Sequence, residues 1–321
     1  MRICPAGRVK TREYYKDPCE RFNAYFPQGD VMPTRSTGSK QSGRERVRHA
    51  PQKQGDSLEG RWRRLHVTDR EPWPDERLVT GLAEQHRSFA TWLDGAAGAV
   101  AVARGLQGAW EKFHAGEFAA AIKAGSELGA LGATVANKAA AVHSLYAKKG
   151  SPHELELLDG AVKRGEQAVV VLPDYANAHY TLALALGRYS QGISILKALT
   201  AGIATRVRTH LERTLELQPQ HAEAHVALGL YHAEIIDKLG KLAASLTYGA
   251  SSDTALDHFR RATRLAPESA IIHIEHANGL MLLDADRYHE KARVLYAEAA
   301  SFEPADEMER LDIERAKRGI D

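Results

Sequence analysis

A chain of 321 residues can bury one large core or two ordinary ones, and its 44% hydrophobic content is that of a globular protein. No apolar run reaches the roughly 18 to 20 residues that span a bilayer, and the first 30 residues are too charged for a signal peptide, so cytoplasmic residence is the expectation. Two cysteines, Cys4 and Cys19, exclude a disulfide framework, and the net charge of +2 divides into a basic leader and a mildly acidic body: residues 1–55 hold twelve Lys or Arg against five Asp or Glu, residues 71–321 hold 27 against 33.

Residues 28–56, QGDVMPTRSTGSKQSGRERVRHAPQKQGD, have almost no apolar periodicity and cannot offset the entropy of ordering. Residues 1–56 are therefore read as a disordered basic leader, with Met32 as an alternative start. Order is expected from Ser57, an N-cap for SLEGRWRRLH, in which Leu58, Trp62 and Leu65 share a helical face. Residues 57–97 are expected to form a helical hairpin packed on the helices after residue 97. GRWRRLHVTD at 60–69 also echoes GAWEKFHAGE at 108–117, pairing Trp62 with Trp110, Leu65 with Phe113 and His66 with His114. Such self-similarity points to repeats.

From residue 98 onward alanine is abundant and strand-like alternation is largely missing, which favours closely packed helices. Four prolines then punctuate the chain at similar offsets, in VLPDYANAH, LQPQHAEAH, LAPESAIIH and FEPADEMER. Pro173, Pro219 and Pro267 are each followed at plus three by Ala176, Ala222 or Ala270, and at plus six by His179, His225 or His273. Pro304 opens a fourth copy, read as a capping helix.

These units resemble the tetratricopeptide repeat (TPR) family. Ala255, Phe259 and Pro267 match the A-x3-F...P second helix, as do Ala292, Tyr296 and Pro304, while Leu228 and Gly229 supply the L-G pair of the first helix and GEFAAAI at 116–122 is similar to the turn into a second helix. The resemblance covers residues 98–321. It implies an all-α fold, a right-handed superhelix or solenoid of antiparallel helix pairs. Proline spacings of 46, 48 and 37 exceed the family's 34, so extra helical turns are expected within residues 190–214 and 233–259. Lengthened units of this kind look like the repeat domain of the regulator of microtubule dynamics family, and more weakly like the helical component of some bacterial solute transporters.

His221, His225 and His232 raise the question of a metal. His179 and His273 repeat the position of His225 one unit away on either side, so that position is architectural; a zinc cage needs three or four ligands converging on one point. No metal and no cofactor is expected. G-x-S-x-G, G-x4-G-K-[ST] and C-x-x-C are absent, and the glycines of DGAAGAVAVARG lie in a helical stretch, so the chain is read as no enzyme.

The TPR resemblance further implies a concave groove lined by repeat positions 2, 5, 9 and 12. Carried over, these are Asn137 and Ala140; Asn177, Tyr180 and Leu184; Glu223, Val226, Leu230 and Ala233; and Ile271, Ile274, Asn278 and Met281. The lysine and arginine clamp of chaperone-binding members is missing. Apolar positions edged by Glu223, Glu234 and Glu275 suit a protein or peptide partner of apolar and basic character, with no nucleic acid on the repeats and no membrane span. The expected function is a noncatalytic interaction scaffold in which Tyr180 anchors the partner; the alternative is a small-molecule or metal-binding helical protein, with possible enzymatic use of its interior histidines.

Overall fold

The structure, a computed structural model, describes residues 57–146, 152–193, 197–198 and 201–320; the expected leader, with Cys4, Cys19 and Met32, lies outside them. Among the described residues every regular element is a helix. Three short helices come first: α1 (Leu58–Leu65), α2 (Glu76–Gln85) and α3 (Arg87–Asp94). Residues 57–97 thus form three helices where the sequence suggested a hairpin. Ser57 accepts the Gly60 N–H at the start of α1 and Asp75 accepts that of Leu78 at the start of α2, satisfying donors that a helix N-terminus leaves open.

The repeats follow as antiparallel pairs. α4 (Ala99–His114) pairs with α5 (Phe118–Ser126), α6 (Gly129–Tyr146) with α7 (Pro152–Val171), and α8 (Ala176–Gln191) with α9 (Ile203–Leu217). In the next unit α10 (Ala222–Leu239) pairs with α12 (Ser252–Leu265), the short α11 (Lys241–Tyr248) being inserted between them. α13 (Ala270–Ser301) supplies both helices of the last unit, because Asp284 takes φ −169° and ψ 96° and breaks it in two. α14 (Glu307–Ile320) closes the chain. The extra length expected within 233–259 is met by α11, while that expected within 190–214 falls partly outside the described residues.

Phe259 of α12 shows why the TPR residue types recur. It is fully buried between α10 and α13, and a Cβ built on Gly229 or Gly279 would stand 2.4 or 2.0 Å from its ring. Only glycine on both neighbouring helices leaves room for that ring.

The solenoid also meets itself. Met308 and Leu311 of α14 pack on the cluster formed by Trp62, Trp110, Phe113 and Phe118, and Glu307 lies against Gly116. The last helix therefore covers the first repeat.

Candidate functional site on the concave face

The ten residues between α1 and α2, 66–75, lie against the repeats as a strap: 66–69 form a hydrogen-bonded turn and 70–75 run on without regular structure. Its backbone is read by the repeats as a bound peptide would be. The Thr68 carbonyl accepts the Glu223 N–H at 3.1 Å, in the open first turn of α10, and the Asp69 carbonyl accepts Asn177 Nδ2 at 3.1 Å. Arg70 takes φ 54°, a left-handed conformation uncommon for a residue with a Cβ, between the two buried carboxylates Asp69 and Glu71. Trp62 Nε1 donates to the Glu71 carbonyl at 2.8 Å and Gln107 Nε2 to that of Pro74 at 2.9 Å, fixing the far end.

The side chains of the strap are buried with their partners. Lys138 of α6 donates to Asp69 Oδ2 and, at 3.1 Å, to Glu223 Oε1, which also accepts the Thr68 hydroxyl. Burial opposes ionisation of Asp69, yet the Lys138 ammonium holds its carboxyl well below the usual range. Burial likewise opposes the charge of Lys138, but Asp69 and Glu223 hold it above the ordinary lysine value. Glu71 receives the Tyr175 hydroxyl at 2.8 Å and the Asn177 amide; burial, with Asp69 nearby, still raises its carboxyl to about 8. His221 accepts the Ala224 N–H through Nδ1 at 3.0 Å, so its Nε2–H donates to Asn177 Oδ1 at 2.8 Å. Burial lowers its imidazole to about 4, and it remains neutral.

Beside the strap the concave face stays open as a cavity of about 560 Å³. Its walls are mostly apolar, from Leu184, Val207, Val226, Leu230, Ile235 and Ile271, and four carboxylates border it, Glu154, Glu223, Glu234 and Glu275. Lys238 pairs with Glu234 at 3.1 Å and Arg315 of α14 with Glu275 at 3.3 Å, while Arg188 bonds the Gln191 amide at 3.4 Å.

Of the thirteen positions inferred for the groove, Ala140 and Ala233 are fully buried and Ile271 lines the cavity, and the other ten fall into three places. Tyr180, Leu184, Glu223, Val226 and Leu230 line the cavity, as do all three acidic edges, Glu223, Glu234 and Glu275. Asn137 and Asn177 are buried in polar contacts, Asn137 accepting Arg164 Nε at 3.1 Å. Ile274, Asn278 and Met281 belong to the interior of the last unit: Ile274 is fully buried, Asn278 accepts the Tyr296 hydroxyl at 2.6 Å, and Met281 packs on the same core. These five do not line the open surface, because the strap and the close packing of α13 with α14 occupy that part of the arc. Tyr180 needs correcting too. It is 5% exposed and packs against His221 with ring centroids 4.5 Å apart and planes tilted by 48°, so it is part of the wall and no free anchor.

The repeated histidines act as staples between helices. His179 Nε2 donates to the Pro173 carbonyl at 2.9 Å and His225 Nε2 to the Pro219 carbonyl at 3.1 Å, and each turns Nδ1 to a second-helix histidine, His210 at 3.0 Å or His258 at 2.9 Å. Burial, then the neighbouring imidazole, lowers His210 and His258 to about 4. His273, the third equivalent, bonds the Ser269 carbonyl at 3.0 Å instead. No group of three or more His, Cys, Asp or Glu among the described residues is placed to hold a metal. Untagged protein is expected to carry far less than one equivalent of zinc by elemental analysis and to stay folded in chelator. Stoichiometric metal that disappears in His225→Ala would reverse this reading.

Residues 132–318, more than half of the chain, match the family described as Regulator of microtubule dynamics protein 1-3. The chain belongs to that family. Among solved structures, the crystal structure of a thermophilic TPR protein from Thermus thermophilus is similar, with 16% identity and a TM-score of 0.49 over 67% of this chain and 98% of that one. No curated protein matches. The matched region contains Lys138, Asn177, Glu223 and the whole cavity, but the strap precedes it. No helix among the described residues is long and apolar enough to cross a membrane.

Proposed function

We propose that this member of the family is a noncatalytic, cytoplasmic interaction scaffold whose concave cavity takes an apolar segment of a protein partner flanked by basic residues. The observation that carries the reading is the cavity itself: an apolar trough of about 560 Å³, on the face TPR-like solenoids turn inward, bordered by four carboxylates against the three cations Arg188, Lys238 and Arg315. Apolar side chains of a partner helix or extended segment would supply affinity by leaving water, and lysines or arginines meeting Glu234 beside Lys238 would supply orientation and speed of encounter.

Leu230 is the residue to change, since it lines the cavity and is only partly buried. Leu230→Arg should fill the trough and repel a basic partner. In affinity capture with mass spectrometry from the native host, partners are expected to fall by at least about tenfold, the equivalent of roughly 1.4 kcal/mol, and to be retained by Leu246→Arg on the outer face of α11. A folded Leu230→Arg protein that captures every partner as before places the binding face elsewhere.

A further inference from the structure

Where the strap meets the end of the chain, four buried side chains form a line. Asp69 Oδ1 lies 2.9 Å from His66 Nδ1, His66 Nε2 lies 3.1 Å from His114 Nε2, and His114 Nδ1 lies 2.6 Å from Asp306 Oδ2. Three hydrogen bonds need three protons. Two carboxylates and two neutral imidazoles bring only two. With two, one contact would set lone pair against lone pair, either between the rings or between a ring and a carboxylate, in a site closed to water.

We propose that Asp69, His66, His114 and Asp306 form a one-proton clasp, in which His114 is an imidazolium bridging the strap to the C-terminal helix and whose deprotonation frees α14 from the first repeat. His114 then donates Nδ1–H to Asp306 and Nε2–H to His66, and His66, neutral, donates Nδ1–H to Asp69. The 2.6 Å contact to Asp306 has the length of a charge-assisted bond. Burial lowers the proton affinity of His66 against the pull of Asp69, which agrees with His66 being the neutral ring. Trp62 and Trp110 enclose the pair: the Trp62 ring centre is 4.0 Å from that of His66, and Trp110 stacks on His114 at 5.8 Å. The faces of indole rings favour a cation.

The charges around the clasp are of both signs. On the repeat side stand Lys138, Glu223, Glu71 and the neutral His221; on the C-terminal side stand Arg64, Glu307, Glu309 and Asp312. Burial raises Glu309 to about 7 and Asp312 to about 8, in both cases with Asp306 adding to the shift. Additional negative charge is thus disfavoured around Asp306, and a proton on His114 offsets it.

What the clasp holds is the closure of the solenoid. Asp306 also accepts the Glu309 N–H at 2.8 Å, in the first turn of α14, and Arg315 of the same helix borders the cavity. Release would therefore change access to the site.

The experiment is histidine-selective 15N NMR on the full chain at pH 7. Three ring N–H groups are expected across His66 and His114; two would overturn the clasp. Asp306→Asn should reduce the number to two while keeping the fold, because the carboxamide can still accept the Glu309 N–H and can donate to His114 Nδ1. If that variant does not fold, the wild-type number decides by itself. On raising the pH, the third N–H should be lost in a one-proton step that Trp62 and Trp110 fluorescence follows, and amide exchange in α14 should accelerate in the same step. Exchange that is unchanged across the step would overturn the release of α14.

Discussion

Lys138→Met is expected to destabilise the protein by about 3–5 kcal/mol at neutral pH, measured by urea unfolding. Lys138 is 4% exposed and is the only cation bonded to Asp69 and Glu223 among the described residues. Methionine keeps much of the volume but leaves two carboxylates facing each other across a site without water. The pH dependence gives the cause away. In the wild type, Asp69 is held well below its ordinary value, so its contribution is present at neutral pH and is lost only as the pH falls toward that depressed value. In the variant Asp69 loses the cation that depresses it and takes up a proton more readily, so the deficit against the wild type should narrow below about pH 5. A loss under about 1 kcal/mol, or a deficit that does not vary with acid, would mean that the strap is held by packing alone.

Much of the solenoid is legible in the sequence because it is written locally. Each proline ends a helix, the alanines at plus three begin the next, and two of the three histidines at plus six, His179 and His225, reach back to a proline carbonyl that the helix leaves unpaired. The echo between residues 60–69 and 108–117 carries more than it first shows. Trp62 and Trp110 meet edge to face at 5.9 Å and His66 and His114 share a hydrogen bond, so the matching residues of the two segments become neighbours. That signal could have located the clasp, had the echo been taken as a pairing as well as a repeat.

The strap was not legible, for a physical reason. TDREPWPD is polar, proline-rich and without period, the composition of a solvated loop. Its burial depends on partners 69 to 155 residues away, Lys138, Asn177 and Glu223, and no local pattern encodes that pairing. Once the strap lies across the repeats, positions that would face a partner in an open TPR groove face the chain's own backbone. This is why Asn177 is consumed by Asp69 and Glu71, while Leu184 and Leu230, toward the other side, still border the cavity. Glu223 sits at the boundary. It accepts from the strap and lines the cavity, and its charge reversal should therefore cost stability as well as binding.

The other large effect is expected at the TPR signature itself. Phe259→Ala should cost about 3–5 kcal/mol, because the ring is fully buried between two helices of neighbouring units and truncation leaves a cavity in place of its contacts. Here the glycines make the loss hard to recover. Gly229 and Gly279 exist to admit the ring, so neither carries a side chain that could relax into the space. A paired change tests this directly: Gly279→Ala in the wild type should destabilise by about 1–3 kcal/mol, since its Cβ would stand 2.0 Å from the ring. The same change in the Phe259→Ala background should be neutral or stabilising, because the added methyl then enters an empty site and also improves the helix. Double-mutant unfolding curves measure the coupling. Additive losses would show that Phe259 and Gly279 do not share one packing site, and the wedge that joins α10, α12 and α13 would have to be assigned to other residues.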